Sequence, residues 1–502
     1  MKKKNPILDF YERDFEHTLF PLNTNRIVIS TQSQKIIDYI YQKVLRNTVE
    51  SESFIPQTRA YASKHDMNLR RTFKLHPVEE FFIYEFVHRN RKSFRSNLTK
   101  NRYSYGYKFS SGIIESPSSS YREFKKNIYD SQIEYEYCIK FDIQSYFNSV
   151  YHHDVESWFR GISKNEDEPK YLGQFLREIN SGRSIDCLPQ GIMPCKIIGS
   201  NYLSFVDNAN RIKSPLMHRF MDDFYIFSSE KSELLEDFYL IQRMLGERGL
   251  SINPQKTQIV SLHETDILRE IDEIKISLLK EREKIVDSDY DSTNDSSLDY
   301  YEVEEEFDSL SEEQEEYLFD LLATENIPEE DAELILVLMG EHSESVIEYL
   351  EDFILRFPNL SKSIYQYCEY IYDKNGIADI IENILDTSYN YITEYQLFWM
   401  AKILEDHLLK TNKAGDLLIK LYDHPNATAI SQAKVLEIPE NRFGMPDIRE
   451  EQLRTGSSGW HSWASAVGSR KIPKDKRNHL LKYFGKNGFR NHVVADCIIN
   501  ID

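Results

Sequence analysis

Two adjacent aspartates sit inside an otherwise apolar and aromatic run. The segment His218–Ser228 reads HRFMDDFYIFS, with Phe220 and Met221 ahead of Asp222 and Asp223, and Phe224, Tyr225, Ile226 and Phe227 behind them. Apolar stretches on both sides of a short polar interruption predict an apolar hairpin with the carboxylates at its tip. Two carboxylates so placed repel each other unless a cation lies between them. A Mg²⁺ pair, bound by carboxylates and substrate phosphates, is one resolution. A plain polar turn is the other, because Asp is a common turn residue.

Three further segments carry chemistry. In Tyr137–Val150 the alternation of Ile139, Phe141 and Ile143 predicts a strand with Asp142 at its end. A strand-end carboxylate facing a cleft is a natural metal ligand; capping the next helix is the alternative. In Cys187–Asp207 the turn Leu188-Pro189-Gln190-Gly191 precedes a helical pattern of Ile197, Ile198, Tyr202, Leu203 and Phe205. A glycine ahead of a helix lets backbone approach a ligand closely, and a helix start favours anions. Gly249–Thr257 combines turn chemistry at Asn253-Pro254 with a lone Lys256, able to neutralise phosphate charge or donate a proton.

The chain has 502 residues, of which 40% are hydrophobic and 13% aromatic, enough for two or three domains with large cores. This excludes a collagen, a low-complexity linker and a wholly disordered chain. The most continuous apolar run, Leu334–Met339, is far short of the roughly 18–20 residues needed to span a bilayer. No apolar stretch follows the first lysines, so no secretory signal is expected. Five scattered Cys without a C-x-x-C spacing argue against a disulfide framework or structural zinc. A soluble, cytoplasmic protein with no membrane partner is expected.

The net charge of −21 hides two unlike halves. Residues 1–265 hold 37 Lys and Arg against 33 Asp and Glu, a net of +4, whereas residues 266–502 hold 24 against 49, a net of −25. The expected domains follow this division, 1–265 and 266–502. Between Arg89 and Lys126 ten basic residues are interleaved with Phe94, Tyr103, Tyr105, Tyr107, Phe109, Tyr121 and Phe124. Such a stretch suits phosphate contacts and base stacking, or is a solvated face over core aromatics. Asp287–Glu316 carries 14 acids and no Lys or Arg, so an exposed linker is expected near 287–316. From about 311 to 436 amphipathic patterns with short breaks, at Asn326–Pro328, Phe357–Pro358, Asn375–Gly376 and Pro425–Asn426, predict consecutive helices, arranged as antiparallel pairs or as a solenoid. No repeat of fixed period is found. The basic, Trp-bearing tail from Ile448 reads as a separate small subdomain.

In order and spacing, the four segments resemble motifs A, B, C and D of the reverse-transcriptase palm. Asp142 stands 80 residues ahead of Asp222, the LPQG turn lies between, and Lys256 follows Asp222 by 34. Phe220-Met221-Asp222-Asp223 occupies the place of the family's aromatic-x-Asp-Asp. The resemblance covers about residues 90–260. It implies an α+β right-hand polymerase, with fingers and palm followed here by an all-α domain. It also implies that Asp142 and Asp222 hold two Mg²⁺ ions (or Mn²⁺) with Asp223 beside them, and that the Ile143 carbonyl completes the shell. Phe147 matches the steric gate against a ribose 2′-OH, which implies dNTP substrates. Gln190 and Gly191 would pack on the incoming nucleotide, Lys256 would face the pyrophosphate, and Arg102 and Lys108 would clamp the triphosphate. Met193-Pro194-Cys195 departs from the Thr or Ser pair of many relatives. Nothing after Thr257 looks like an RNase H module.

A compact palm followed by a long acidic helical half is similar to the abortive-infection (Abi) polymerases, AbiK, AbiA and above all the prophage-borne P2 type. That resemblance implies a role in anti-phage defence. It implies untemplated DNA synthesis primed by a protein hydroxyl, single-stranded DNA left covalently attached, a HEAT-like helical-repeat C-terminal domain, and a trimeric or hexameric homo-oligomer. A templated reverse transcriptase with a dedicated RNA partner, as in retrons, is the alternative. A non-catalytic scaffold on a relic fold is a third reading, and it expects lost carboxylates.

Overall fold

Proline at the first helical position, preceded by a side chain that accepts a backbone N–H, marks several helix starts directly in the sequence: Asn5-Pro6, His76-Pro77 and Ser116-Pro117. The computed structural model describes residues 5–46, 51–65, 67–95, 99–110, 112–262, 278, 310–324 and 327–501. The chain divides into two units. One comprises Met1–Leu19, Ser33–Arg59 and Thr72–Glu270, and the other Phe20–Gln32, Ala60–Arg71 and Ile271–Asp502. Two N-terminal segments thus count with the second unit.

Helices α1 (Pro6–Phe15) and α2 (Asn23–Tyr39) are followed by a hairpin, β1 (Thr58–Lys64) and β2 (Asn68–Lys74), and by α3 (Pro77–Arg89). Next come β3 (Arg102–Tyr105), the short pair β4 (Phe109–Ser110) and β5 (Ile113–Ile114), and α4 (Pro117–Glu134). β6 (Tyr137–Asp142) leads into α5 (Tyr146–Ser149), α6 (His152–Ile162), α7 (Glu168–Ile179), α8 (Met193–Tyr202) and α9 (Ser204–Asp207). β7 (Leu216–Phe220), β8 (Asp223–Ser228), α10 (Lys231–Gly246) and β9 (Gln258–Ser261) follow.

Five of these strands form one sheet in the order β3-β7-β8-β6-β9. β3 runs parallel to β7, and the other pairs are antiparallel. Successive side chains alternate between the sheet's two faces. On one face Phe141 stacks on its cross-strand partner Phe224 with ring centroids 4.9 Å apart, and Phe238 of α10 packs on Phe141 at 5.4 Å. On the other, Cys138 and Phe227 join Phe124 and Ile128 of α4 in one buried cluster. Each ring so buried stabilises the sheet by about 1.5–3 kcal/mol. The aspartates lie at one end of this sheet, Asp142 closing β6 and Asp223 opening β8.

The aromatic interleaving of Arg89–Lys126 is mostly core: Phe94, Tyr105, Phe109 and Phe124 are buried. All five cysteines are free and buried. No described helix is long and apolar enough to cross a membrane.

From Glu312 onward the described residues form helices and turns. Ser361–Tyr367, Glu394–Ile403, Ala429–Glu437, Trp460–Gly468 and Phe489–Ile499 pack each on the next, as do Leu350–Arg356, Lys374–Thr387 and Ala414–Asp423. A buried ion cluster belongs to this unit: Glu437 accepts the backbone N–H groups of Asn23 and Thr24 and the Lys434 ammonium, which also pairs with Glu405. Three expectations are corrected. The acidic tract is not linker throughout, because Glu312–Leu322 is a helix opened by a Ser311–Gln314 capping box, with acids in its first turn where the helix dipole favours them; residues 287–309 lie outside the described residues. Asn375–Gly376 is no break, since Asp373 caps a helix that starts at Lys374. The tail from Ile448 continues within the second unit and is not a separate subdomain.

Candidate active site

Strand register brings the sequence-predicted carboxylates together. Asp142, the last residue of β6, lies opposite Asp223, the first of β8. Phe220 pairs with Asp223, so Met221 and Asp222 form the tight turn between β7 and β8. Met221 has φ = +53°, a left-handed conformation that costs a non-glycine residue about 1–2 kcal/mol.

A buried arginine holds this turn. Arg219 donates from Nη1 to the Met221 carbonyl at 2.7 Å and from Nε to Asp207 at 2.8 Å, and its Nη2 completes a fork on the Asp207 carboxylate. A lone arginine within a short apolar strand next to the Asp pair was the available sequence signal for it. Arg219→Ala is expected to cost about 3–5 kcal/mol in chemical denaturation, because it strands the buried Asp207 charge. Exchanging both partners, Arg219→Met with Asp207→Leu, is expected to recover most of that stability yet leave incorporation impaired, since the Met221 carbonyl has lost its donor. Full activity in the double variant would show that the turn holds itself.

The electrostatics are set by three neighbouring carboxylates and the lysines that face them. Burial, with Asp223 second, pushes Asp222 up to about 7. Asp223 is raised by burial and by Asp142, against the pull of Lys256, Lys140 and Lys125. Asp142 Oδ2 pairs with Lys256 Nζ at 3.1 Å, while its Oδ1 is buried without a hydrogen-bond partner. Lys256 sits on a short turn whose first residue, Asn253, accepts the Gln255 N–H and donates its own N–H to the Asp142 carbonyl. The bridge from Ile143 to Ile252 is made by the Gln144 N–H and the Asp142 carbonyl, so it leaves the Ile143 carbonyl out.

Among the described residues no three His, Cys, Asp or Glu side chains are already gathered as a metal-ligand set. The donor chemistry nevertheless fits divalent cations: hard oxygen donors, a buried unpartnered carboxylate oxygen, and an aspartate driven towards neutrality by burial and a neighbouring carboxylate. Asp142, Asp222 and Asp223, with the Ile143 carbonyl, would hold them, and Asp142 would exchange Lys256 for the ion.

The Asp222 shift has a sign that can be measured. Its folded value lies above its ordinary value of 3.8. The native state therefore keeps a proton that the unfolded chain has lost, and stability falls as pH rises from about 4 to about 7. The metal-free protein is expected to show this fall, Asp222→Asn to lack its share of it, and Mg²⁺ to raise the melting temperature more at pH 8 than at pH 5. Equal Mg²⁺ shifts at both pH values would contradict the assignment.

The remaining predicted residues divide. Phe147, on α5 just after the left-handed Ser145, lies against Gly199 of α8, where an added Cβ would come within 3.3 Å of its ring. Gln190 donates to the Asn148 side chain at 3.3 Å, and Asn148 donates to Asp186, which Arg59 pairs at 2.5 Å. The Gln190 carbonyl accepts from the Thr72 hydroxyl at 2.8 Å. Gly191 has φ = +89°, which favours glycine.

Arg102 and Lys108, expected as a triphosphate clamp, are each engaged by groups of the protein itself. Arg102 is buried and donates to the carbonyls of Asn101, Ile212 and Ser214. Lys108 donates to the Ser104 carbonyl and lies 3.5 Å from Glu115. Register sets the place of Arg102: it pairs with Met217, three residues back from Phe220, and at about 3.3 Å per residue that is roughly 10 Å along the strand from the turn.

The family described as "Reverse transcriptase (RNA-dependent DNA polymerase)" matches residues 22–300. A search of curated proteins found no match. Among solved structures, apo telomerase from Candida tropicalis is similar at 12% identity over 78% of this chain and 73% of that one, with a TM-score of 0.32. Telomerase from Candida albicans, in complex with a fragment of telomeric RNA, is similar at 12% identity over 74% and 62%, with a TM-score of 0.31. With the family match spanning more than half its length and a paired-aspartate turn at the end of its central sheet, the chain belongs to the reverse transcriptase family.

Proposed function

We propose that this protein is a Mg²⁺-dependent DNA polymerase that joins dNTPs without a template, primed by one of its own hydroxyls, in bacterial defence against phage. The observation that carries the polymerase reading is the convergence of Asp142, Asp222 and Asp223, all half-buried, at one end of the sheet. When bound, divalent ions would supply a lowered pKa for the attacking hydroxyl and stabilisation of the negative charge developing on the pyrophosphate leaving group. The primer oxygen forms a bond to the α-phosphorus of the dNTP, the bond to pyrophosphate breaks, and the hydroxyl proton leaves to solvent. Phe147 would exclude a ribose 2′-OH, and Gln190 with Gly191 would seat the nucleotide.

The untemplated, protein-primed mode rests on the likeness to Abi polymerases. It is favoured by the charge of residues 266–502, a net of −25, which would repel a template duplex laid along it. The successive packing of the C-terminal helices suits a HEAT-like repeat. Covalently held single-stranded DNA, a trimeric or hexameric homo-oligomer and a cytoplasmic location belong to the same reading. A templated reverse transcriptase with an RNA partner is the second reading, favoured by the description of the matching family. Incorporation of labelled dNTPs with Mg²⁺, compared with Asp222→Ala, tests the common core. No incorporation beyond that control would favour a non-catalytic scaffold.

A further inference from the structure

The nucleotide-seating turn is held by residues that precede the family match, which begins at residue 22. Asp14, at the end of α1, is 2% exposed and accepts the Met193 N–H, the first of α8, at 2.6 Å; the Tyr84 hydroxyl donates to the same oxygen. Leu19 lies directly on Gly191, where an added Cβ would come within 2.4 Å of Leu19 Cγ. The two contacts fall on either side of Ile192, so one short segment grips both ends of the passage from the turn into α8. Thr72 fixes the Gln190 carbonyl independently. An aspartate at a helix start also favours the helix dipole. Asp14 Oδ1 has no hydrogen-bond partner, so the contact is concentrated in the other oxygen.

We infer that Asp14 and Leu19 are positioning residues for Gln190 and Gly191, and that the segment 5–19 is a working part of the nucleotide site. The inference rests on the polymerase reading above. Loss of either contact lets the turn shift against α8, and the incoming dNTP meets it less often in the productive position. A role in folding alone would reduce the active fraction, and so the apparent kcat, while leaving KM unchanged.

The test is steady-state dNTP incorporation by the full-length protein, read as separate KM and kcat values. Asp14→Ala is expected to raise the KM for dNTP about tenfold, and Leu19→Ala about fivefold. Asp14→Asn, whose amide oxygen can still accept the Met193 N–H, is expected to recover most of the loss. If Asp14→Ala fails to fold, Leu19→Ala and Asp14→Asn still carry the comparison. KM values within about twofold of wild type in the folded variants, with only kcat lowered, would overturn the inference while leaving the polymerase reading intact. A wild type that incorporates nothing under any primer or template condition would instead sink that reading, and this inference with it.

Discussion

Asp142→Asn and Asp222→Asn are each expected to lower nucleotide incorporation by about 10³-fold or more, corresponding to at least ~4 kcal/mol of transition-state stabilisation. Both aspartates lie where β6 and the β7–β8 turn converge; Asp142 pairs with Lys256, and burial with neighbouring carboxylates raises Asp222. Asparagine keeps the shape and removes the charge that would bind a divalent ion. Folding should survive. Burial and neighbouring carboxylates already push Asp222 towards its neutral form, so a neutral side chain relieves repulsion in the metal-free protein. Far-ultraviolet circular dichroism and a melting curve check the fold, and incorporation with titrated Mg²⁺ checks the activity. Near wild-type synthesis in both folded variants would remove them from the active site.

Phe147→Ala is expected to admit ribonucleotides, reducing discrimination between dNTP and NTP by about 100-fold or more. The ring is held by its surroundings. Tyr146 is buried and donates its hydroxyl to the Gly199 carbonyl at 2.7 Å, and the Phe147 ring rests against Gly199 itself. A ring so fixed can act as a wall, whereas a freely rotating one would yield to a 2′-OH. Alanine opens the space and leaves the Tyr146 anchor in place, so dNTP use should persist. Competition between labelled dATP and ATP gives the ratio of kcat/KM directly. An unchanged ratio would take the gate away from Phe147.

The parts of the site that were legible in sequence are those written in local pattern. Ile139, Phe141 and Ile143 alternate, so Asp142 could be placed at a strand end. The apolar residues flanking Asp222 and Asp223 could only be a hairpin, and the glycine of the LPQG turn marked the start of α8. These are short-range signals, and the strands and helix lie as expected. Lys256 was legible as a neighbour of the site, although it meets Asp142 itself in the structure.

What was not legible depends on distant pairing. Nothing local to Arg102 shows that β3 joins β7 in parallel with Arg102 opposite Met217, or that its guanidinium donates to the carbonyls of Ile212 and Ser214. The bond from Asp14 to Met193 spans 179 residues and leaves no periodic trace. The pairing of Arg219 with Asp207 crosses from β7 to α9, and only the oddity of a charge within an apolar strand hinted at it. In the second unit, the acidic tract repels itself on average, yet Ser311 and Gln314 form a cap that turns the acids at 312, 313 and 315 into a favourable first turn. Average composition concealed that local exception.

The most direct test of the central claim is synthesis by the purified protein with labelled dNTPs and Mg²⁺ alone, without primer or template. Products are run on a denaturing gel with and without protease. The account predicts a labelled species that enters the gel as a nucleic-acid ladder only after proteolysis, and that is missing in Asp222→Asn. Product appearing only when an RNA template and an annealed primer are supplied, unaffected by protease, would contradict it.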